Sequence, residues 1–182
     1  MKRIALLVLG LVAASSSAFA QSSPDIDKAL LAAPSQAIKD AATVIKWKPD
    51  FTYETIRKGT NTIVCFDLSG LPGQQAFSVE CTSINNLKRV TQNLKFEALG
   101  DKAKTQAAIA EAEKNGTREK PEYGSIWWHV RGDAANPRKH MTIAVPGATS
   151  ASLGGLPDNP KQGGLWLMDQ GTSTAHLMLP GM

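Results

Sequence analysis

Ile126-Trp127-Trp128-His129-Val130-Arg131 is the stretch from which the fold can be read. It is dense in β-branched and aromatic residues, which suit a pleated, half-buried strand. Alternation sends Ile126, Trp128 and Val130 to one face of that strand and Trp127, His129 and Arg131 to the other. One face is wholly apolar. The other carries an indole, an imidazole and a guanidinium.

The same pattern continues downstream. Strands are expected at 124–131, 139–145, 165–168 and 174–179, separated by turn-rich segments at 132–137, 147–164 and 170–173. No long helical period intervenes, so the pairing should be mainly antiparallel. Met141, Ile143 and Val145 oppose His140, Thr142 and Ala144, while Leu177 and Leu179 oppose His176 and Met178. If the apolar sets face a helical cover, the opposite face gathers Trp127, His129, Arg131, His140 and His176.

Upstream, the chain alternates between helical and extended character. Ser23-Pro24-Asp25 is a helix start, with a capping serine, a proline at the first position and an acid at the positive dipole end. A second helix is expected from Pro34, with Ile38, Ala41, Ala42 and Ile45 on one face. Segments 51–57 and 60–66 read as a β-hairpin around Lys58-Gly59, and 77–81 reads as a short returning strand. Helices follow at 83–99 and 102–114, the second with only alanines on its apolar side and hence peripheral. The expected fold class is α+β: a mainly antiparallel sheet of five to seven strands, with helices on one face.

Lys2 and Arg3, the apolar run from Ile4 to Ala14 and Ala18-Phe19-Ala20 form a signal-peptide pattern, with 1–20 as leader and 21–182 as a single α+β domain. The apolar run is shorter than the roughly 20 residues that span a bilayer, so a periplasmic or secreted location is expected. The two cysteines, Cys65 and Cys81, are then expected to form a disulfide. The leader takes two basic residues with it, so the formal +4 becomes +2 (4 − 2) for the remainder. Basic residues are scattered, which argues against a nucleic-acid partner.

Catalytic signatures are lacking. There is no Gly-x-Ser-x-Gly elbow, P-loop or dinucleotide fingerprint. Paired cysteines remove the thiol nucleophile. No two of the three histidines sit two or four positions apart, so neither a metal nor another cofactor is expected. Two readings of the Trp/His face follow. In one, a non-enzymatic module binds a small ligand or a protein partner through Trp127, His129, Arg131, His140 and His176. In the other, a hydrolase-like enzyme uses one histidine as general base. A purely structural role, with the polar side chains tolerated on a half-exposed sheet face, stands beside both.

Ile56-Arg57-Lys58-Gly59-Thr60-Asn61 running into Cys65, the second cysteine, Lys139-His140-Met141, Pro146-Gly147 and the closing 175–180 segment together resemble a group of small exported bacterial proteins of unassigned function. In these a Gly-Thr-Asn stretch precedes a cysteine and a His-x-Met-like strand lies near the C-terminus. The resemblance implies a secreted or periplasmic location and carries no activity with it.

Overall fold

A computed structural model describes residues 23–162 and 164–179. The expected leader at 1–20 lies outside the described residues. Within them the chain forms one sheet flanked by four α-helices: α1 (Pro24–Ala29), α2 (Gln36–Ala41), α3 (Leu87–Glu97) and α4 (Lys102–Lys114). The strands are β1 (Thr43–Trp47), β2 (Tyr53–Arg57), β3 (Ile63–Asp67), β4 (Phe77–Ser83), β5 (Ile126–Asp133), β6 (Asn136–Ala144), β7 (Trp166–Met168) and β8 (His176–Leu179). Their order across the sheet is β2-β1-β3-β4-β5-β6-β8-β7. The class is α+β as expected, but eight strands exceed the expected five to seven.

The extra strand is β1. Ile45 was placed on a helical face, yet α2 stops at Ala41 and Thr43-Val44-Ile45 runs extended. Three consecutive β-branched residues lose rotamer freedom in a helix and pack well on a sheet. β1 inserts between the two segments expected to form a hairpin. It pairs antiparallel with β2 and parallel with β3, so β2 and β3 are not neighbours.

That topology gives Gly59 its role. The link from β2 to β3 wraps over the start of β1, where Thr60 and Asn61 donate their backbone N–H groups to the Ala41 carbonyl at 2.8 and 3.1 Å. Gly59 donates to Thr43 Oγ1 at 3.1 Å. A Cβ on Gly59 would lie 2.3 Å from the Ala41 carbonyl oxygen, so only glycine permits the approach.

Helices cover both faces of the sheet, not one. The turn from α1 to α2 packs Ala29, Leu30, Ala32 and Ala33 against Val44, Cys65, Val79, Cys81 and Val130. On the other face, Leu87, Val90 and Leu94 of α3 meet Ile45, Val64, Phe66 and Trp127. Each helix has its own apolar stripe, and a sheet buried on both sides absorbs both. α4 is peripheral, with Ala112 its one buried residue. Cys65 and Cys81 stand directly opposite each other on β3 and β4 and are disulfide-bonded, both fully buried under α1. The bond is a cross-strand clip beneath the helical cover.

Candidate functional site

One row of side chains runs across the α3 face. Strand register aligns Ile45, Phe66, Glu80, His129 and His140 on β1, β3, β4, β5 and β6. The row begins apolar under α3 and turns charged beyond it. Between that charged end and α3 lies a cleft of about 360 Å³. Trp127, His129, Arg131, His140 and His176 all line it, with Thr142 and Met178. α3 contributes Arg89, Leu94 and Glu97 to the opposite wall. The face read as open is thus roofed by a helix.

Two anchors hold α3 over the sheet and leave this space. At its C-terminal end, Gly73 of the β3–β4 loop packs so closely that a Cβ would meet the Glu97 carbonyl at 2.2 Å, and Gln74 donates to the Glu97 carboxyl at 2.5 Å. At its start, the buried Arg89 donates to the Glu119 carbonyl, to Ser173 Oγ at 3.2 Å and to Thr174 Oγ1 at 2.7 Å. Burial lowers the Arg89 guanidinium to about 10, which leaves it charged at neutral pH.

At the charged end, His129 Nδ1 lies 2.8 Å from Glu80 Oε1, and each side chain is about one-tenth exposed. Arg131 Nη2 donates to the same Oε1 at 3.3 Å and lies 2.5 Å from Nδ1. Burial alone would raise the Glu80 carboxyl. The charge and hydrogen bond of His129, then Arg131 and His140, outweigh burial and hold the carboxyl below its ordinary value.

His140 stacks on His129 with ring centroids 4.4 Å apart and planes 15° from parallel, and the Trp127 ring lies nearly parallel to His129 with its centroid 6.2 Å away. Burial, then the neighbouring His129 and Arg131, push His140 down to about 4, so it is neutral at physiological pH. Its flat face is an aromatic surface there, without charge.

His176 stands apart from this group. Its register partner is Ala144, four positions along β6 from His140, or roughly 13 Å at the usual strand rise. Its Nδ1 donates to the Thr174 carbonyl at 2.7 Å, and the Asp169 carboxylate is 3.8 Å away, beyond hydrogen-bond reach. Of the three histidines, His129 alone is hydrogen-bonded to a carboxylate. Among the described residues, no group of three or more His, Cys, Asp or Glu side chains is disposed to hold a metal ion.

Sequence reasoning missed Glu80. Its signal was the alternation of β4, where Phe77, Val79 and Cys81 point one way and Ser78 and Glu80 the other. Both faces of β4 are buried, so a lone glutamate in that short strand gave no pattern to mark it as part of a site. The α3 residues Arg89, Leu94 and Glu97 were missed because the cover was expected on the other face.

No family model, curated protein or solved structure matches this chain.

Proposed function

We propose that this protein is an exported, non-enzymatic module that binds a small molecule in the cleft between α3 and the Trp/His-bearing sheet face. The observation that carries this reading is the buried Glu80–His129 pair at the cleft wall, joined by the partly exposed Arg131. Desolvating two ionisable side chains costs the fold more than an apolar pair of the same volume would. Alongside it the same sheet face is apolar at Ile45 and Phe66. Such groups concentrate where a site needs polar contacts inside an otherwise apolar pocket. The cleft volume sits at the small end of the about 300–1,000 Å³ range of ligand pockets.

A catalytic reading draws on one feature, a histidine oriented by a buried carboxylate, His129 beside Glu80. Among the described residues no serine or cysteine lines the cleft; its side-chain hydroxyls are those of Thr142 and Thr174, and Thr174 already accepts from Arg89. The exported location rests on the signal-like start, together with the disulfide and the absence, among the described residues, of a helix long and apolar enough to cross a membrane.

The test is a thermal-shift screen of small organic molecules on the exported protein with its disulfide intact, repeated on Met178→Trp, which fills the cleft from β8. Compounds that raise the melting temperature of the native protein should lose their effect on the variant. Hits that act equally on both would place binding elsewhere.

A further inference from the structure

We propose, building on the cleft as a small-molecule site, that its ligand is an organic acid whose anionic group sits at Arg131 and whose flat or apolar body lies along Trp127, Leu94 and Met178. Each charged group of the cleft leads to this by its existing commitments. Arg89 is 4% exposed and already serves Glu119, Ser173 and Thr174. Glu80 accepts from both His129 and Arg131. Glu97 accepts from Gln74, and burial pushes its carboxyl up, toward the neutral form. The Glu80 carboxylate is thus already committed, and burial works against a charged Glu97, so the cleft is poorly suited to a cationic ligand.

Arg131 differs. Its side chain is 31% exposed, its hydrogen bond to carboxylate runs from Nη2 to Glu80 at 3.3 Å, and its Nε is buried with no partner. A guanidinium carries five donors in a planar fork that matches a carboxylate two bonds at a time. Most of that capacity is unspent. Beside it the neutral ring of His140, stacked on His129, presents a flat surface rather than a competing positive charge. Leu94, Trp127 and Met178 continue the wall with apolar surface. An anion next to a planar apolar body fits that order of groups.

Three probes sharing one ring separate the possibilities: benzoate, benzyl alcohol and benzamidinium. Each is titrated into the isotope-labelled exported protein, and the Trp127 indole and cleft amide NMR signals are followed. Benzoate should shift these signals and bind at least tenfold more tightly than benzyl alcohol. Arg131→Gln should weaken benzoate at least tenfold and leave benzyl alcohol unchanged, with Arg131→Lys recovering part of the loss. If Arg131→Gln fails to fold, the ranking of the three probes on the native protein decides alone. Benzyl alcohol or benzamidinium binding in the cleft as tightly as benzoate overturns the acid while leaving the cleft as a site. Failure of all three to move any cleft signal at millimolar concentration overturns both.

Discussion

Glu80 and His129 meet across β4 and β5 with Oε1 and Nδ1 2.8 Å apart, and each side chain is about one-tenth exposed. Arg131 closes on the same oxygen. Removing one member strands the others. Glu80→Ala should cost about 3 kcal/mol, the usual scale for breaking a buried charged pair from one side. Glu80→Gln, which keeps an acceptor, should cost less. Urea denaturation of the two variants measures this, and a loss under about 0.5 kcal/mol for Glu80→Ala would show that the group is solvated in solution.

His140 supplies a pH dependence. Its folded pKa is lowered to about 4 from an ordinary 6.5. Between these values the unfolded chain binds a proton that the folded chain refuses, so the unfolded state holds more protons and stability rises with pH. Stability should therefore fall as pH drops from about 6.5 toward 4. The Glu80 carboxyl, held below its ordinary 4.5, adds a further loss below that point as it takes up a proton. A histidine-resolved NMR titration checks the first claim. A His140 midpoint near 6.5 would contradict it.

Gly59→Ala should destabilise by about 1–3 kcal/mol, the range for forcing a methyl into packed structure. The contact is with backbone, 2.3 Å from the Ala41 carbonyl oxygen, and backbone cannot swing aside as a side chain can. Gly116, where a Cβ would meet nothing within 4 Å but φ is +74°, provides the comparison. There alanine incurs the left-handed strain alone. Thermal melts of the two variants separate close approach from backbone conformation.

The double variant Cys65→Ala, Cys81→Ala should lose about 3 kcal/mol, the chain-entropy value for a loop of this length. Cys81 Sγ lies under the Ala29 carbonyl at 4.0 Å, and both cysteines are fully buried. The folded protein should therefore show no thiol-reactive group before reductant and denaturant are added together. Ready labelling of the native protein with reductant alone would contradict the burial.

Much of the C-terminal half was legible in the sequence, because β5 and β6 are joined by a tight turn at 134–135 and alternation within each strand is uninterrupted, although β6 pairs with β8 and not with β7, which follows it only after residues 145–165. Local pairing leaves a local signal. The N-terminal half was not, because β1 pairs in parallel with β3 across the intervening β2, and no short-range pattern marks a non-local neighbour. The helix pattern of Ile38, Ala41, Ala42 and Ile45 also fits a short helix running into a strand, and the β-branched Thr43 and Val44 were the deciding residues. The five candidate residues were legible as a common face, and they do share one cleft. The roof over them was not, since whether a helix lies above or below a sheet depends on chain crossing rather than on its own periodicity. Gly-Thr-Asn at 59–61 was noticed as a motif, and its explanation is the close passage over β1.

The central claim is that the space between α3 and the sheet is a binding site. Mapping ligand hits by amide and indole chemical-shift changes on the protein tests it most directly. Hits should shift Leu94, Trp127, His129, His140 and Met178 together, from both walls of the cleft, and the shifts should vanish in Met178→Trp. Hits that move the outer surface of α4 or the β2 edge, and leave these five residues unmoved, would contradict it.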